Sequence, residues 1–329
     1  MEDRVPSDVR DESSDTIDLL ESGRKAIRKE AGKAILLGGG IVFLHLILLG
    51  AGVITLRNIF RSILFIIGVA VIAEGIWRIH RARYLTLEDL KPSEQEKEFA
   101  ESLKSATPVY TWIILGCLIA VGVCQPVFES KASIQAAGLV KGAVRKGEWW
   151  RLLTCATLHV NFLHIWMNGQ SLLGLGRLVE FVASRYHLCL TFLLSALCGS
   201  LFSLLLLPNT TSAGASGGLM GLVGFLAVLG YRRKEILPRK FFKSIVISIC
   251  FIGVIGLVGF AIIDNAAHLG GLIAGAICGA ASIKKHGGGE RPVVAGPAVK
   301  VLGQASLLAI AGISLFSILK ILHVLKRIS

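Results

Sequence analysis

Thr210-Thr-Ser-Ala-Gly-Ala-Ser-Gly-Gly-Leu-Met-Gly-Leu222 is the stretch on which the reading of this chain turns. An apolar run continues from it to Leu229, which places Ser216 in the first turn of a membrane helix, just past a glycine-rich entry. Gly214, Gly217 and Gly218 flank the serine. Glycine costs helix stability unless the backbone must approach something closely or adopt special dihedrals. The first turn of a helix carries N–H groups without helical acceptors, and these can hold a developing negative charge. A later apolar run contains Asn265-Ala-Ala-His268, and lipid penalises a histidine unless it faces the protein interior. A nucleophile beside free donors, with a base on another helix, is what acyl transfer requires. Close helix packing accounts for a small residue such as Ser216 equally well, so the decision rests on the rest of the chain.

Of the 329 residues, 53% are hydrophobic and only 17% charged, below the roughly 25% charged residues of a soluble domain. The composition is that of an all-α polytopic membrane protein. A net charge of +13 is explained by basic loops that hold membrane orientation, not by nucleic acid, which is excluded as a partner. The seven cysteines (Cys117, Cys124, Cys155, Cys189, Cys198, Cys250, Cys278) fall mostly within apolar runs and form no C-x-x-C pair. They read as small buried hydrophobes rather than disulfides or a zinc site. His159 and His164 do not fit H-E-x-x-H and have no acidic neighbour, so neither metal nor cofactor is expected.

Residues 1–33 mix acidic and basic side chains and are expected to form a mostly unstructured cytoplasmic arm. A transmembrane hairpin follows over 34–78, with His45 and Glu74 as polar intruders, and a charged cytoplasmic connector over 79–107. Residues 108–284 hold the core, 285–298 a Gly/Pro-rich linker, and 299–329 a last helix and basic tail. Apolar runs of about the 20 residues a span requires lie at 34–56, 59–77, 109–127, 163–183, 188–207, 216–231, 242–263, 265–283 and 299–319. That predicts nine spans, with the N-terminus inside and the starts of the Ser216 and His268 helices both near the outer side. Residues 128–158 are too polar to span and are expected to lie in the membrane interface. In 242–263, Gly253, Gly256 and Gly259 recur at three-residue spacing, which suits either close packing or a loosely held entry for substrate.

His164 and Asn168 are four apart and so share one helix face. Their donors suit an oxyanion hole or interhelical hydrogen bonding. With Trp150-Arg151, His159, His164-x-x-x-Asn168, Gly176-x-x-x-Glu180, Gly214-Ala-Ser216-Gly217 and Ala267-His268-x-x-Gly271-x-x-x-Gly275 in this order on successive spans, the chain resembles a rhomboid intramembrane serine protease. The resemblance covers about residues 109–283. It implies a rhomboid-like six-helix core, to which this chain adds an N-terminal transmembrane hairpin and one C-terminal helix. It further implies Ser216 as nucleophile and His268 as its base in a dyad without a third member. His164, Asn168 and the Ser216 amide would serve the oxyanion. Gly214, Gly217, His159, Asn265, Gly271 and Gly275 would support the site, and Trp150, Arg151 and Glu180 would brace the structure. Cys155 stands where some bacterial members carry a further histidine, and Met220 where an aromatic ring often stacks on the catalytic histidine. The expected partners are transmembrane protein substrates and membrane lipids, and the expected location is a bacterial cytoplasmic membrane. Two other functions compete. A catalytically inactive rhomboid-like binder or chaperone usually lacks the serine or the histidine, whereas both are present here. A transporter would use the intramembrane His, Asn and Glu as a solute path, but the charged residues do not repeat between two halves.

Overall fold

The structure is a computed structural model that describes residues 7–59, 62–90, 93–125, 130–284 and 293–325. Its contacts separate two compact units, Met1–Glu98 with Ile252–Ile263 and Phe99–Phe251 with Asp264–Ser329.

In the first unit α1 (Ser7–Gly50) pairs with α3 (Ile63–Ala82) as an antiparallel hairpin, with the single turns α2 (Leu56–Ile59) and α4 (Leu87–Leu90) beside it. Glycine sets the approach of the two long helices. A Cβ on Gly38 would stand 2.5 Å from the Gly68 carbonyl oxygen, and one on Gly75 would stand 2.9 Å from that of Ala31. Both polar intruders are satisfied locally. The His45 ring pairs with Ser62 Oγ at 2.7 Å across the hairpin, and Glu74 pairs with Arg78 one turn on. The expected unstructured arm is corrected: α1 is one unbroken helix from Ser7. Ala31 is fully buried, Gly23 packs on Leu90, and Lys33 reaches back to Glu30 at 2.7 Å, so the segment has both tertiary and i,i+3 support.

The second unit begins at Phe99 within α5 (Glu94–Ser105), a helix bent by 51° against α6 (Val109–Cys124). The interfacial segment breaks into α7 (Ser130–Ala137), β1 (Leu139–Val140), α8 (Lys141–Arg145), α9 (Arg151–Thr154) and a 3-10 turn at Cys155–Thr157. Its expected first residues, 128 and 129, lie outside the described residues. Then come α10 (Phe162–Val182), α11 (Arg185–Leu206), β2 (Thr211–Ser212), α12 (Ser216–Arg232), α13 (Phe241–Val258, whose residues from Ile252 on fall in the first unit), α14 (Asn265–Ser282) and α15 (Pro297–Leu325). β1 pairs antiparallel with β2, Leu139 opposite Ser212 and Val140 opposite Thr211, which ties the interfacial segment to the strand entering α12. Most of the expected linker, residues 285–292, lies outside the described residues.

Each of the nine apolar runs contains a helix, but α1 stops at Gly50 and α13 at Val258, so residues 51–55 and 259–263 of the expected runs are not helical. By length and composition, however, only four described helices qualify as membrane-crossing, and five if α5 and α6 count as one bent span. The physical reason is visible in α12, which is 17 residues long and encloses Leu222, Phe225, Leu226 and Leu229 with no exposure at all. A helix wrapped by its neighbours needs neither the length nor the uniform apolarity of one that faces lipid. α13 is the opposite case. Val254 and Leu257 are exposed, and a Cβ on Gly253 would meet nothing within 4 Å, so close packing does not occur at that glycine.

Helix ends in this unit are stapled by side chains. Asn161 Oδ1 accepts from the His164 amide at 2.8 Å, Ser184 Oγ from the His187 amide at 3.4 Å, and Asp264 Oδ1 from the Ala267 amide at 2.9 Å. Glu180 accepts from the Tyr110 amide (3.3 Å) and from the Thr111 amide and hydroxyl (both 2.7 Å), placing a carboxylate at the N-terminus of α6. Thr111 in turn packs on Gly176, where a Cβ would stand 2.5 Å from its hydroxyl oxygen. α12 has no such staple, because Ala215 precedes it.

Candidate active site

The α12 hydrogen-bond ladder opens with the Leu219 amide on the Ala215 carbonyl (3.1 Å), which leaves the Ser216 and Gly217 amides without a helical acceptor. Gly214 holds φ +141°, a conformation that side chains rarely adopt, and its amide donates to the Cys155 carbonyl at 2.9 Å. The entry is also crowded. A Cβ on Gly214 would stand 2.8 Å from His164 Cε1, 3.0 Å from His164 Nε2 and 3.8 Å from Asn168 Nδ2. The turn before Ser216 thus lies against the two polar side chains of α10. Asn168 is buried, and its Nδ2 has no hydrogen-bond partner among the described residues.

His159 packs edge-on against His164, with ring centroids 5.1 Å apart at 76°. Its backbone is clamped by Gln125, whose side chain donates to the His159 carbonyl and accepts from the His159 amide, both at 2.8 Å. Burial first, then the neighbouring His164, pushes the His159 imidazole down to about 3, so the ring is neutral. An apolar cavity of about 600 Å³ lies beside it, between α6 and α10.

The approach of α14 to α12 is made by glycine. A Cβ on Gly271 would overlap the Gly217 carbonyl oxygen, and one on Gly275 would overlap that of Gly221. The Ala267 carbonyl oxygen lies 3.5 Å from the Cβ position of Gly217 and 2.7 Å from that of Gly199 on α11. Asn265 opens α14, and His268 follows within its first turn. His268 lies within electrostatic reach of both His164 and Asp264. Ser216 and His268 are brought to the same end of adjoining helices, and no hydrogen bond joins them among the described residues. Catalytic hydrogen bonds commonly tighten only when substrate binds. Ser216, Gly214 and Gly217 line a small cavity with Cys155, Ser200, Ser203, Ser212, Asp264 and Ala267. The Cys155 sulfur stands 3.1 Å from Ser200 Oγ, and burial pushes its thiol up to about 11, so it is inert as a nucleophile. Met220 is buried within α12.

Trp150 and Arg151 lie away from this cavity. Arg151 is buried, donates to the Gly138 carbonyl (2.8 Å) and to Glu148 (2.7 Å), and lies 4.6 Å from the Trp150 ring centre. Trp150 also takes Lys320 over its ring at 4.9 Å and meets Phe316 edge-on, which packs the interfacial segment against α15. Asp264, Ser203, Ser212 and Lys141 were not anticipated from sequence. An acidic residue just ahead of a periodic apolar run is a helix N-cap signal that points to Asp264, but nothing local marks the other three.

A bundle of apolar helices with polar residues gathered at one end of its core defines a multi-pass integral membrane protein. Residues 146–285 match the Rhomboid domain family. It is similar to Rhomboid protease GluP of Bacillus subtilis, 32% identical over 208 residues that make up 61% of this chain and 40% of that protein. It is similar to RHOMBOID-like protein 2 of Arabidopsis thaliana, 32% identical over 156 residues (46% of this chain, 49% of that protein). Putative rhomboid protease YdcA of Bacillus subtilis is 29% identical over 133 residues (40% of this chain, 66% of that protein). The chain spans less than two thirds of the length of each of these relatives.

Proposed function

We propose that this protein is an intramembrane serine endopeptidase that cuts transmembrane protein substrates through a Ser216–His268 dyad. The observation that carries the reading is the uncapped start of α12. Ser216 sits there beside its own amide, which has no helical acceptor, with His164 and the buried donor of Asn168 against Gly214 and α14 pressed onto the same turn. The relatives named as rhomboid proteases support the same class.

In this reaction Ser216 Oγ attacks the scissile carbonyl carbon while its proton passes to His268, since an unassisted hydroxyl is too weakly acidic to attack an amide. The oxyanion accepts from the Ser216 amide, His164 and Asn168, donors fixed before charge develops. His268 returns the proton to the leaving amine, and water then releases the acyl group by the reverse path, with His268 again as base. A substrate helix must be locally unwound to present a carbonyl, because an intact helix in lipid keeps its carbonyls hydrogen-bonded. The cut lies near the outer side of a bacterial cytoplasmic membrane, with the protein's N-terminus inside. Labelling of the purified protein by a fluorophosphonate tests the reading. Labelling is expected to require both Ser216 and His268. Absence of labelling and of cleavage in the unmodified protein would leave the inactive membrane-protein binder as the account of this chain, and cleavage that survives in either alanine variant would overturn the dyad.

A further inference from the structure

A buried polar strap crosses the second unit from the interfacial segment to the helix of His268. Lys141, at the start of α8, is only 2% exposed, and its ammonium donates to Thr210 Oγ1 at 2.6 Å and to Ser212 Oγ at 3.0 Å. The Ser212 hydroxyl donates to Asp264 Oδ2 at 2.6 Å, and the Ser203 hydroxyl of α11 donates to the same oxygen. Asp264 Oδ1 accepts from the Ala267 amide at 2.9 Å, and the Asp264 carbonyl accepts from the His268 amide at 3.1 Å. One carboxylate therefore joins β2, α11 and the first turn of α14, and reaches α8 through Ser212.

Capping α14 does not require this arrangement. Asparagine or serine caps a helix about as well as aspartate and brings no charge. Burying a lysine against a carboxylate is costly: burial pushes the Lys141 ammonium below the usual lysine range, and Asp264 opposes that shift. What the charge adds lies on the other side of the carboxylate. His268 is within its electrostatic reach, and His268 in turn acts on His164 of α10. When the Ser216 O–H bond breaks and its proton passes to a ring nitrogen of His268, the imidazolium forms next to the Asp264 carboxylate.

We propose that Asp264 is a positioning residue of the dyad: held by Ser203, Ser212 and Lys141, it fixes the first turn of α14 and sets a negative charge beside His268 as that residue takes the Ser216 proton. The proposal rests on the dyad reading above.

The test uses the full chain in detergent or reconstituted vesicles, with kcat, KM and Tm measured for each variant. Asp264→Asn keeps a capping oxygen but removes the charge. It is expected to lower kcat by about tenfold or more with KM unchanged. Lys141→Met with Asp264→Asn removes both buried charges. This pair is expected to restore any Tm lost by Asp264→Asn alone while kcat stays low. Recovery of kcat together with Tm in the double variant would make the strap purely structural and overturn the proposal. Should Asp264→Asn fold poorly, Ser203→Ala and Ser212→Ala loosen the tether while keeping the charge. A fall of kcat at constant KM is expected of them, and unchanged kcat in both would overturn the tether. Fluorophosphonate labelling of the unmodified protein separates the two readings. Labelled Ser216 with wild-type kcat in Asp264→Asn overturns the positioning role alone, and absence of Ser216 labelling overturns both.

Discussion

Gly275 of α14 lies so close to Gly221 of α12 that a Cβ there would overlap the Gly221 carbonyl oxygen. Gly271 meets Gly217 in the same way one turn earlier, next to Ser216 and one turn from His268. The spacing of the two candidate catalytic helices is thus set by backbone resting on backbone, which only glycine permits in a membrane interior. Gly275→Ala is expected to drive α14 outward and destabilise the protein by about 1–3 kcal/mol. Gly253→Ala, where a Cβ meets nothing within 4 Å, is expected to stay within about 0.5 kcal/mol of wild type. Thermal denaturation in detergent, with fluorophosphonate labelling of the folded fraction, compares the two. Equal Tm values would mean that α14 does not rest on α12 at Gly275.

Ser216→Ala and His268→Ala are each expected to abolish cleavage. The double variant is expected to be no worse than either, because the pair acts as one unit. Protein purified free of host proteases and assayed on a membrane-embedded substrate gives the comparison. A double variant far below both singles would point to two independent contributions.

His164→Ala and Asn168→Ala are each expected to reduce turnover about a hundredfold while the protein stays folded. The reason is their place against Gly214 at the start of α12, together with the unpaired Asn168 donor. Unchanged kcat in both variants would assign them to packing alone.

His159 predicts how stability depends on pH. Its ordinary value of 6.5 is lowered to about 3 in the folded protein, chiefly by burial. Below 6.5 the unfolded chain takes up a proton that the folded chain refuses. The contribution is therefore complete above 6.5 and lost as pH falls toward about 3, at up to about 1.4 kcal/mol per pH unit. His159→Phe is expected to flatten that part of the stability profile. A variant whose Tm falls with acid as steeply as wild type would place the sensitivity elsewhere.

The apolar runs and the polar residues inside them were legible from sequence, because lipid leaves a chain few choices. A backbone in hydrocarbon must be helical to satisfy its own N–H and C=O groups, and a His, Asn or Ser buried there is too costly to stand without a role. The apolar runs follow from that alone, whereas the choice of Ser216, His268, His164 and Asn168 as candidates also needed the resemblance to the rhomboid family. Which helices face lipid did not follow. α12 carries an apolar sequence much like those of the outer helices, yet it is enclosed, whereas α14 keeps Leu269, Ile273 and Ile277 exposed, and only their neighbours decide it. The arm before residue 34 reads as unstructured because its charges outweigh its few apolar residues, whereas α1 runs from Ser7 and Ala31 and Gly23 pack within the first unit. The strap from Lys141 to Asp264 was hidden for a different reason. Residues 141 and 212 are 71 apart and meet because β1 pairs with β2, and Ser212 meets Asp264 across another 52 residues. Hydrophobic periodicity reports the face a residue occupies on its own helix. A hydrogen bond between distant segments depends on how those segments are docked, and only the tertiary structure decided that.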